Sequence, residues 1–242
     1  MQSTSLHAAL ILDGNGRWAT RRGLAREAGH LAGTETVRRI VRAAPGLGVG
    51  ILTVYAFSSD NWQRPEPEVR ALLGLLARHL RDEIGDCRAA GVRISVIGRR
   101  DRLPLPLRAA VAAAEQATAA GRRLWLRIAI DYSARDQILR ASARAPAGRP
   151  LSRERFATLL GKAGHGPGPV PDVDLLVRTG GERRLSDFLL WECAYAELFF
   201  SDTPWPDFDA GEFEAIIAEF RGRDRRFGGL GLRAAGGDDA AV

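Results

Sequence analysis

Asp13-Gly14-Asn15-Gly16-Arg17-Trp18 packs a carboxylate, an amide and a guanidinium into one short turn. It follows directly on an apolar run, Ala8-Ala9-Leu10-Ile11-Leu12, that reads as a buried strand. Two glycines let the backbone turn sharply and come close to a ligand. A hard oxygen donor beside such a turn, with a planar fork of donors, is equipment for holding a metal-bound phosphate at the carboxyl end of a strand. Asp-Gly and Asn-Gly are also common turn formers, so this motif alone leaves an ordinary polar turn open.

Two more segments share that chemistry. Ser58-Ser59-Asp60-Asn61-Trp62-Gln63-Arg64-Pro65 follows a second apolar run. Arg178-Thr179-Gly180-Gly181-Glu182-Arg183-Arg184-Leu185-Ser186 follows a third. Each joins arginine to small hydroxyl, amide or glycine residues. Arginine offers a planar fork that matches phosphate oxygens. Three post-strand loops of this kind are much harder to explain by chance than one.

Positioning them requires alternating strands and helices. The sequence predicts strands over residues 8–12, 50–57, 92–97, 124–130, 173–177 and 197–200. It predicts helices over 34–44, 68–90, 105–120 and 210–221, with a short one after the fourth strand. Val69, Leu72, Leu73, Leu76, Leu80 and Ile84 follow a helical period in the longest of these. The expected fold is a single α/β domain, a mostly parallel sheet of about six strands flanked by helices. In such a sheet ligands sit beyond the carboxyl ends of the strands. Residues 145–150 and 164–171 read as Gly/Pro-rich loops, and the chain from Gly228 onward as a flexible tail.

Composition bounds the class. At 242 residues and 45% hydrophobic, the chain can bury a sizeable core. No apolar run approaches the ~20 residues of a membrane span. Residues 1–5 lack signal-peptide character. Cys87 and Cys193 lie far apart and read as buried thiols in a reducing, cytoplasmic compartment. Net charge is +6, and Lys162 is the single lysine. The arginines are interleaved with 29 acidic residues, and no nucleic-acid-binding pattern stands out. A basic pocket for an anionic small molecule is therefore preferred over a nucleic-acid surface.

From His7 to Gly229 the chain resembles the cis-prenyltransferase family of undecaprenyl diphosphate synthase type. The resemblance is carried by His7 through Trp18, Arg26-Glu27-Ala28-Gly29-His30, Tyr55 through Pro65, and Arg178-Thr179-Gly180-Gly181-Glu182. It continues through Arg184-Leu185-Ser186, Phe188-Leu189-Leu190-Trp191, Ala194 through Leu198, Trp205-Pro206-Asp207-Phe208 and Arg225-Arg226-Phe227-Gly228-Gly229. Residues 1–229 would form the family's domain and 230–242 the tail.

The resemblance implies condensation of isopentenyl diphosphate with an allylic diphosphate such as farnesyl diphosphate, creating a Z double bond. Mg²⁺ and fixed donors would stabilise the charge on the departing diphosphate. Asp13 is then the magnesium ligand. Gly14, Asn15, Gly16 and Arg17 would cradle the allylic diphosphate, joined by Arg26, His30 and Arg64. The post-strand segment Ser58, Ser59, Asp60, Asn61 and Trp62 would belong to the same site. Arg178, Arg184 and Ser186, with Leu185 between them, look like the isopentenyl diphosphate clamp. Glu197 resembles a second metal-associated carboxylate. Asn61 occupies a position that family proposals assign to proton acceptance; a neutral amide is a poor base, so relay through water or diphosphate is easier. Trp18 and Trp62 would shield the carbocation and its tail.

A hydrophobic tunnel for the product would run between the helix over 68–90 and the strand carrying Ala56, whose small side chain implies a medium or long polyprenyl product. A homodimer, with the Arg225–Gly229 end reaching across, and transient membrane contact are implied as well. Several positions depart from the family pattern. Asp131-Tyr132-Ser133-Ala134-Arg135 stands for Asn-Tyr-Gly-Gly-Arg, Arg183 replaces a neutral residue or histidine, and Asp187 and Glu192 replace amides. Asp187 and Glu192 are expected near the dimer contact, where they would pair with a neighbour's arginines. An irregular or short-chain prenyl coupling enzyme on the same fold, a non-catalytic partner subunit and an arginine-rich nucleic-acid-binding protein are the rival readings.

Overall fold

The structure is a computed structural model that describes residues 5–223, apart from Ala147, Arg149 and Pro167. Six strands, β1 (Leu6–Ile11), β2 (Val49–Ser58), β3 (Val92–Ile97), β4 (Leu124–Tyr132), β5 (Leu175–Arg178) and β6 (Glu197–Phe200), form one sheet in the order β3-β4-β2-β1-β5-β6. Every neighbouring pair is parallel. All six residues of β1 are buried, as expected of a strand covered on both faces.

Alternate residues of β1 serve different cores. Leu6, Ala8 and Leu10 join the larger cluster, which holds residues of α2 (Arg26–Ala43), α3 (Glu66–Ala89), α4 (Leu105–Thr118) and α7 (Ala210–Gly222). Ala9 and Ile11 join a second cluster on the other face, with Tyr132, Phe188 and Leu189. A third, smaller cluster lies between α5 (Ala134–Ser142) and α6 (Arg153–Ala163). The single α/β domain and six-stranded parallel sheet are thus as expected.

Sheet order explains where a ligand can go. The connection after β1 leads to β2 on one side, whereas β5 pairs with β1 on the other. That is a topological switch point, and a crevice opens beyond the carboxyl ends of the strands there. Asp13, the turn after β2 and the loop after β5 all reach it.

Several boundaries differ from the sequence reading. The Asp13–Trp18 motif is only half a turn: α1 (Asn15–Arg21) begins at Asn15, with Gly14 as its left-handed N-cap at φ 102°. A Cβ on Gly14 would lie 2.8 Å from Pro204 Cα, so the position also lacks space. α2 starts at Arg26 rather than Thr34. Gly29 and Gly33 weaken its helical signal, yet they are the positions that admit α1. α6 was not anticipated; Ser152 caps it by accepting the Arg155 N–H. β4 runs on to Tyr132, and β5 starts at Leu175. Both cysteines are buried free thiols. The stretch Arg225–Gly229 and the tail 230–242 lie outside the described residues. Among the described residues no helix is long and apolar enough to cross a membrane.

Candidate active site

Asp13 is fixed from both chain ends. Its N–H donates to Thr179 Oγ1 at 3.1 Å, and the Thr179 hydroxyl lies 2.8 Å from the Asp13 carbonyl. Trp205 N–H donates to that same carbonyl at 2.9 Å. The Asp13 carboxylate accepts the Gly14 N–H at 2.7 Å and Arg178 Nη2 at 2.8 Å. Its side chain is 32% exposed and faces the crevice, whereas that of Arg178 is 5% exposed.

Arg178 organises the neighbouring loop. Nη1 donates to the Arg184 carbonyl at 2.6 Å and to Ser186 Oγ at 2.7 Å. Nε is buried without a partner. Ser186 and Asp187 sit at positive φ, 49° and 60°, so the loop is tightly wound. Glu182 bridges the mouth: it takes Arg184 at 2.5 Å and Arg17 of α1 at 3.6 Å. The two arginine-bearing segments are therefore joined by one carboxylate that the sequence reading did not single out.

A third basic cluster closes the site. Glu68 of α3 accepts Arg64 at 3.0 Å and lies 3.8 Å from Arg26 Nε. His30 stands among them with a buried, unpartnered Nε2. Burial first, and then the Arg64 charge, holds its pKa below the usual imidazole value, so it is neutral at neutral pH. Half-buried Asn15 donates to the Leu12 carbonyl, and its buried Oδ1 has no hydrogen-bond partner among the described residues. A Cβ on Gly33 would sit 2.3 Å from that oxygen. The close passage of α1 over α2 thus depends on glycine.

Below these groups lies a cavity of about 410 Å³. Asp13, Gly14, Asn15, Gly16, Arg17, Arg26, His30, Ser58, Asp60, Asn61, Arg64, Arg178 and Ser186 all line it, so three separated segments meet as expected. Ala56, Leu72, Leu76 and Ile128 form its apolar depth. A second cavity, of about 260 Å³, shares Val37, His79, Leu80 and Ile128 with the first. Lining of this kind, apolar with a few convergent polar groups, is the usual make-up of a small-molecule site.

Other expected residues lie elsewhere. Trp18 does not line the cavity; its indole N–H donates to Asp207 at 2.6 Å and Arg22 covers its ring. Trp62 is turned away too, donating to Asp131 at 2.9 Å and packing edge-on to Phe57. Neither indole is placed to shield a cation in the crevice. Leu185 packs on the second core cluster. Ser59 is half-buried off the cavity wall, and the exposed Arg184 stands at the mouth. Glu197 pairs with Leu175 at the start of β5, three residues or about 10 Å from the Arg178 end, and binds Arg223. Within one chain Glu197 and Asp13 are therefore not neighbours. Among the described residues no cluster of three or more His, Cys, Asp or Glu side chains gathers around a metal position. Asn61 Oδ1 accepts the Ser58 N–H at 3.0 Å, which uses one of its two lone pairs.

Two of the departures from the family pattern, Asp131 and Asp187, find hydrogen-bond partners inside the chain. Asp131 takes both Trp62 and Arg102. Asp187 accepts Ser133 Oγ and the Arg135 N–H. Glu192 is buried, with its pKa raised by that burial and pulled back by the charge of Arg127. The expectation that Asp187 and Glu192 await a neighbour's arginines is corrected accordingly.

The family model described as "Putative undecaprenyl diphosphate synthase" matches residues 11–228. This chain belongs to that family. It is an isoprenyl transferase of the cis type. "Isoprenyl transferase 1" of Bradyrhizobium diazoefficiens is 59% identical over 230 residues, 95% of this chain and 92% of its own length. "Isoprenyl transferase" of Agrobacterium fabrum is 45% identical over 232 residues, 95% of this chain and 94% of its own. Among solved structures, a probable undecaprenyl diphosphate synthase from Campylobacter jejuni aligns with TM-score 0.76 at 34% identity, covering 94% of this chain and all of that one. Lavandulyl diphosphate synthase from Lavandula x intermedia, solved with dimethylallyl diphosphate, aligns with TM-score 0.84 at 30% identity, covering 92% and 97%. For an isoprenyl transferase, sequence reasoning missed Thr179, Glu68, Glu182 and Trp205. Thr179 and Glu182 had a signal as neighbours of Arg178 in the same loop, and Trp205 as part of the Trp205–Phe208 stretch that carries the resemblance; Glu68 had none.

Proposed function

We propose that this transferase condenses isopentenyl diphosphate with an allylic diphosphate, farnesyl diphosphate by preference, in Z configuration to give a medium- or long-chain polyprenyl diphosphate. One observation carries the reading: the apolar cavity opens directly beneath the Asp13–Arg178 pair, so a prenyl diphosphate can place its charged and greasy ends in one crevice. The second cavity shares Val37, His79, Leu80 and Ile128 with the first, which supports a tunnel for a growing chain.

Gly14, Asn15, Gly16 and Arg17, with Arg26, His30 and Arg64, bind the allylic diphosphate. The first N–H groups of α1 lack acceptors within the helix and are free for phosphate oxygens. Arg178, Arg184 and Ser186 bind isopentenyl diphosphate through guanidinium forks and a hydroxyl. Mg²⁺ fits Asp13, because that ion takes one or two carboxylates plus substrate phosphates and keeps several waters. Bound there, it would supply Lewis-acid stabilisation of charge on the departing diphosphate. The proton lost in condensation passes to water or diphosphate rather than to Asn61. A homodimer, a cytoplasmic location and transient contact with membrane complete the reading, with no nucleic-acid partner.

A coupling reaction on a shorter allylic starter is the second reading, supported by the likeness to lavandulyl diphosphate synthase. Small Ala56 on the cavity wall favours elongation. The test is radiolabelled isopentenyl diphosphate with dimethylallyl, geranyl, farnesyl and geranylgeranyl starters in the presence of Mg²⁺, followed by product sizing. Long Z-polyprenyl products are expected, and Asp13→Ala should lose at least ~100-fold in rate. Failure to incorporate label from any starter would end the proposal.

A further inference from the structure

Three side chains from three connections meet next to the crevice. Asp131, at the end of β4, is 1% exposed and has φ 51°. Its carboxylate accepts Arg102 Nε and Nη2, both at 2.6 Å, and Trp62 Nε1 at 2.9 Å. The Arg102 guanidinium also lies 5.1 Å over the Trp62 ring. Phe57 holds the ring edge at 5.5 Å. Trp62 is thus fixed by its N–H, its face and its edge.

The turn it belongs to, Ser59–Gln63, has no buried residue of its own. Trp62 is its attachment to the fold. Within the turn, Ser58 and Asn61 satisfy each other's backbone N–H groups. Because Asn61 Oδ1 must accept from Ser58, the amide orientation is set, and Nδ2 is the polar atom left for the cavity that Asn61 lines. An amide N–H there can donate to an anion.

We propose that Asp131 is a positioning residue, which by clamping Trp62 and Arg102 holds the turn after β2 so that Asn61 Nδ2 donates to a diphosphate oxygen of bound substrate. This rests on the crevice being a diphosphate site. Trp62→Phe deletes the indole N–H and shrinks the ring, leaving a smaller aromatic face between Phe57 and Arg102.

A double-mutant cycle tests the chain of contacts, with kcat and KM measured for each diphosphate in wild type, Trp62→Phe, Asn61→Ala and the double variant. Trp62→Phe should lower kcat/KM about tenfold, in the range of one lost hydrogen bond to a charged group. In the Asn61→Ala background the same change should cost less than about twofold, because its effect already runs through Asn61. Asp131→Asn, which keeps an acceptor for the indole, should retain more activity than Asp131→Ala. Multiplying effects of Trp62→Phe and Asn61→Ala, or full activity in Trp62→Phe, would overturn the proposal. Inactive wild type would instead sink the reading of the site, and with it the donor role.

Discussion

Gly29→Ala separates two opposed effects in one helix. Alanine is the better helix former by about 1 kcal/mol, so the change should stabilise α2 if nothing else mattered. At Gly29, however, an added Cβ would lie 2.0 Å from the Asn15 carbonyl oxygen and 2.8 Å from its carbon. Both atoms are backbone, so no side chain can swing aside. Bringing the contact to 3.0 Å requires α1 to retreat by about 1 Å. Overpacking of this kind costs about 1–3 kcal/mol. The net expectation is a loss of up to about 2 kcal/mol, or up to roughly 8 °C in Tm for a chain of this size. Catalysis should suffer more than stability. Gly16 and Arg17 ride on α1, and a 1 Å misplacement can cost ~100-fold in rate. Gly74→Ala is the control: an added Cβ meets nothing within 4 Å in α3, so it should gain up to ~1 kcal/mol. Urea unfolding and label incorporation on wild type and both variants give the comparison. If Gly29→Ala matched Gly74→Ala in stability and turned over at the wild-type rate, the close α1–α2 packing would be refuted.

Three further outcomes are expected. Burial first, and then Arg127, pushes His7 down to about 3, so the unfolded chain binds a proton below pH 6.5 that the folded chain refuses. Its contribution is therefore complete above pH 6.5 and lost as pH falls toward 3, by about 2 kcal/mol at pH 5; urea unfolding at pH 7 and 5 should show it, and His7→Asn should flatten the slope. Arg127 and Glu192 are both buried and each feels the other's charge, so Glu192→Gln or Arg127→Met alone should destabilise, and Glu192→Leu with Arg127→Met by less than the sum; strictly additive losses in the unfolding cycle would count against their coupling. Ala56→Phe, on the cavity wall, should shift products to shorter chains while starter consumption continues; an unchanged size distribution would remove the tunnel from that wall.

What could be read from sequence followed from period and punctuation. Apolar runs with polar loops behind them gave the parallel sheet, and the rule that such loops line one rim gathered Asp13, Asn61 and Arg178 correctly. The misreadings had one source, which is that partners distant in sequence are invisible in a local pattern. Asp131 looked like an isolated extra charge because Arg102 and Trp62 come from other connections. Trp18 and Trp62 occupy site motifs, yet their indoles satisfy Asp207 and Asp131 instead of facing the crevice. The helix expected from residue 34 starts earlier, and it includes Gly29 and Gly33 because packing against α1 requires glycine there. Glu197 begins the strand expected over 197–200, and parallel register sets it opposite Leu175, at the other end of β5 from Arg178.

The bond from Asp13 to Thr179 spans 166 residues. A ribosome adding about 5–20 residues per second needs roughly 10–30 s to cover that span. Through that interval β1 has β2 on one side and an open edge on the other, because β5 has not yet been made. Nascent chains therefore carry an aggregation-prone ribbon and no substrate pocket, and any truncation ahead of β5 leaves both defects permanent. The catalytic rim of this enzyme is completed only late in its synthesis, when β5 covers the open side of β1 and β6 then pairs with β5.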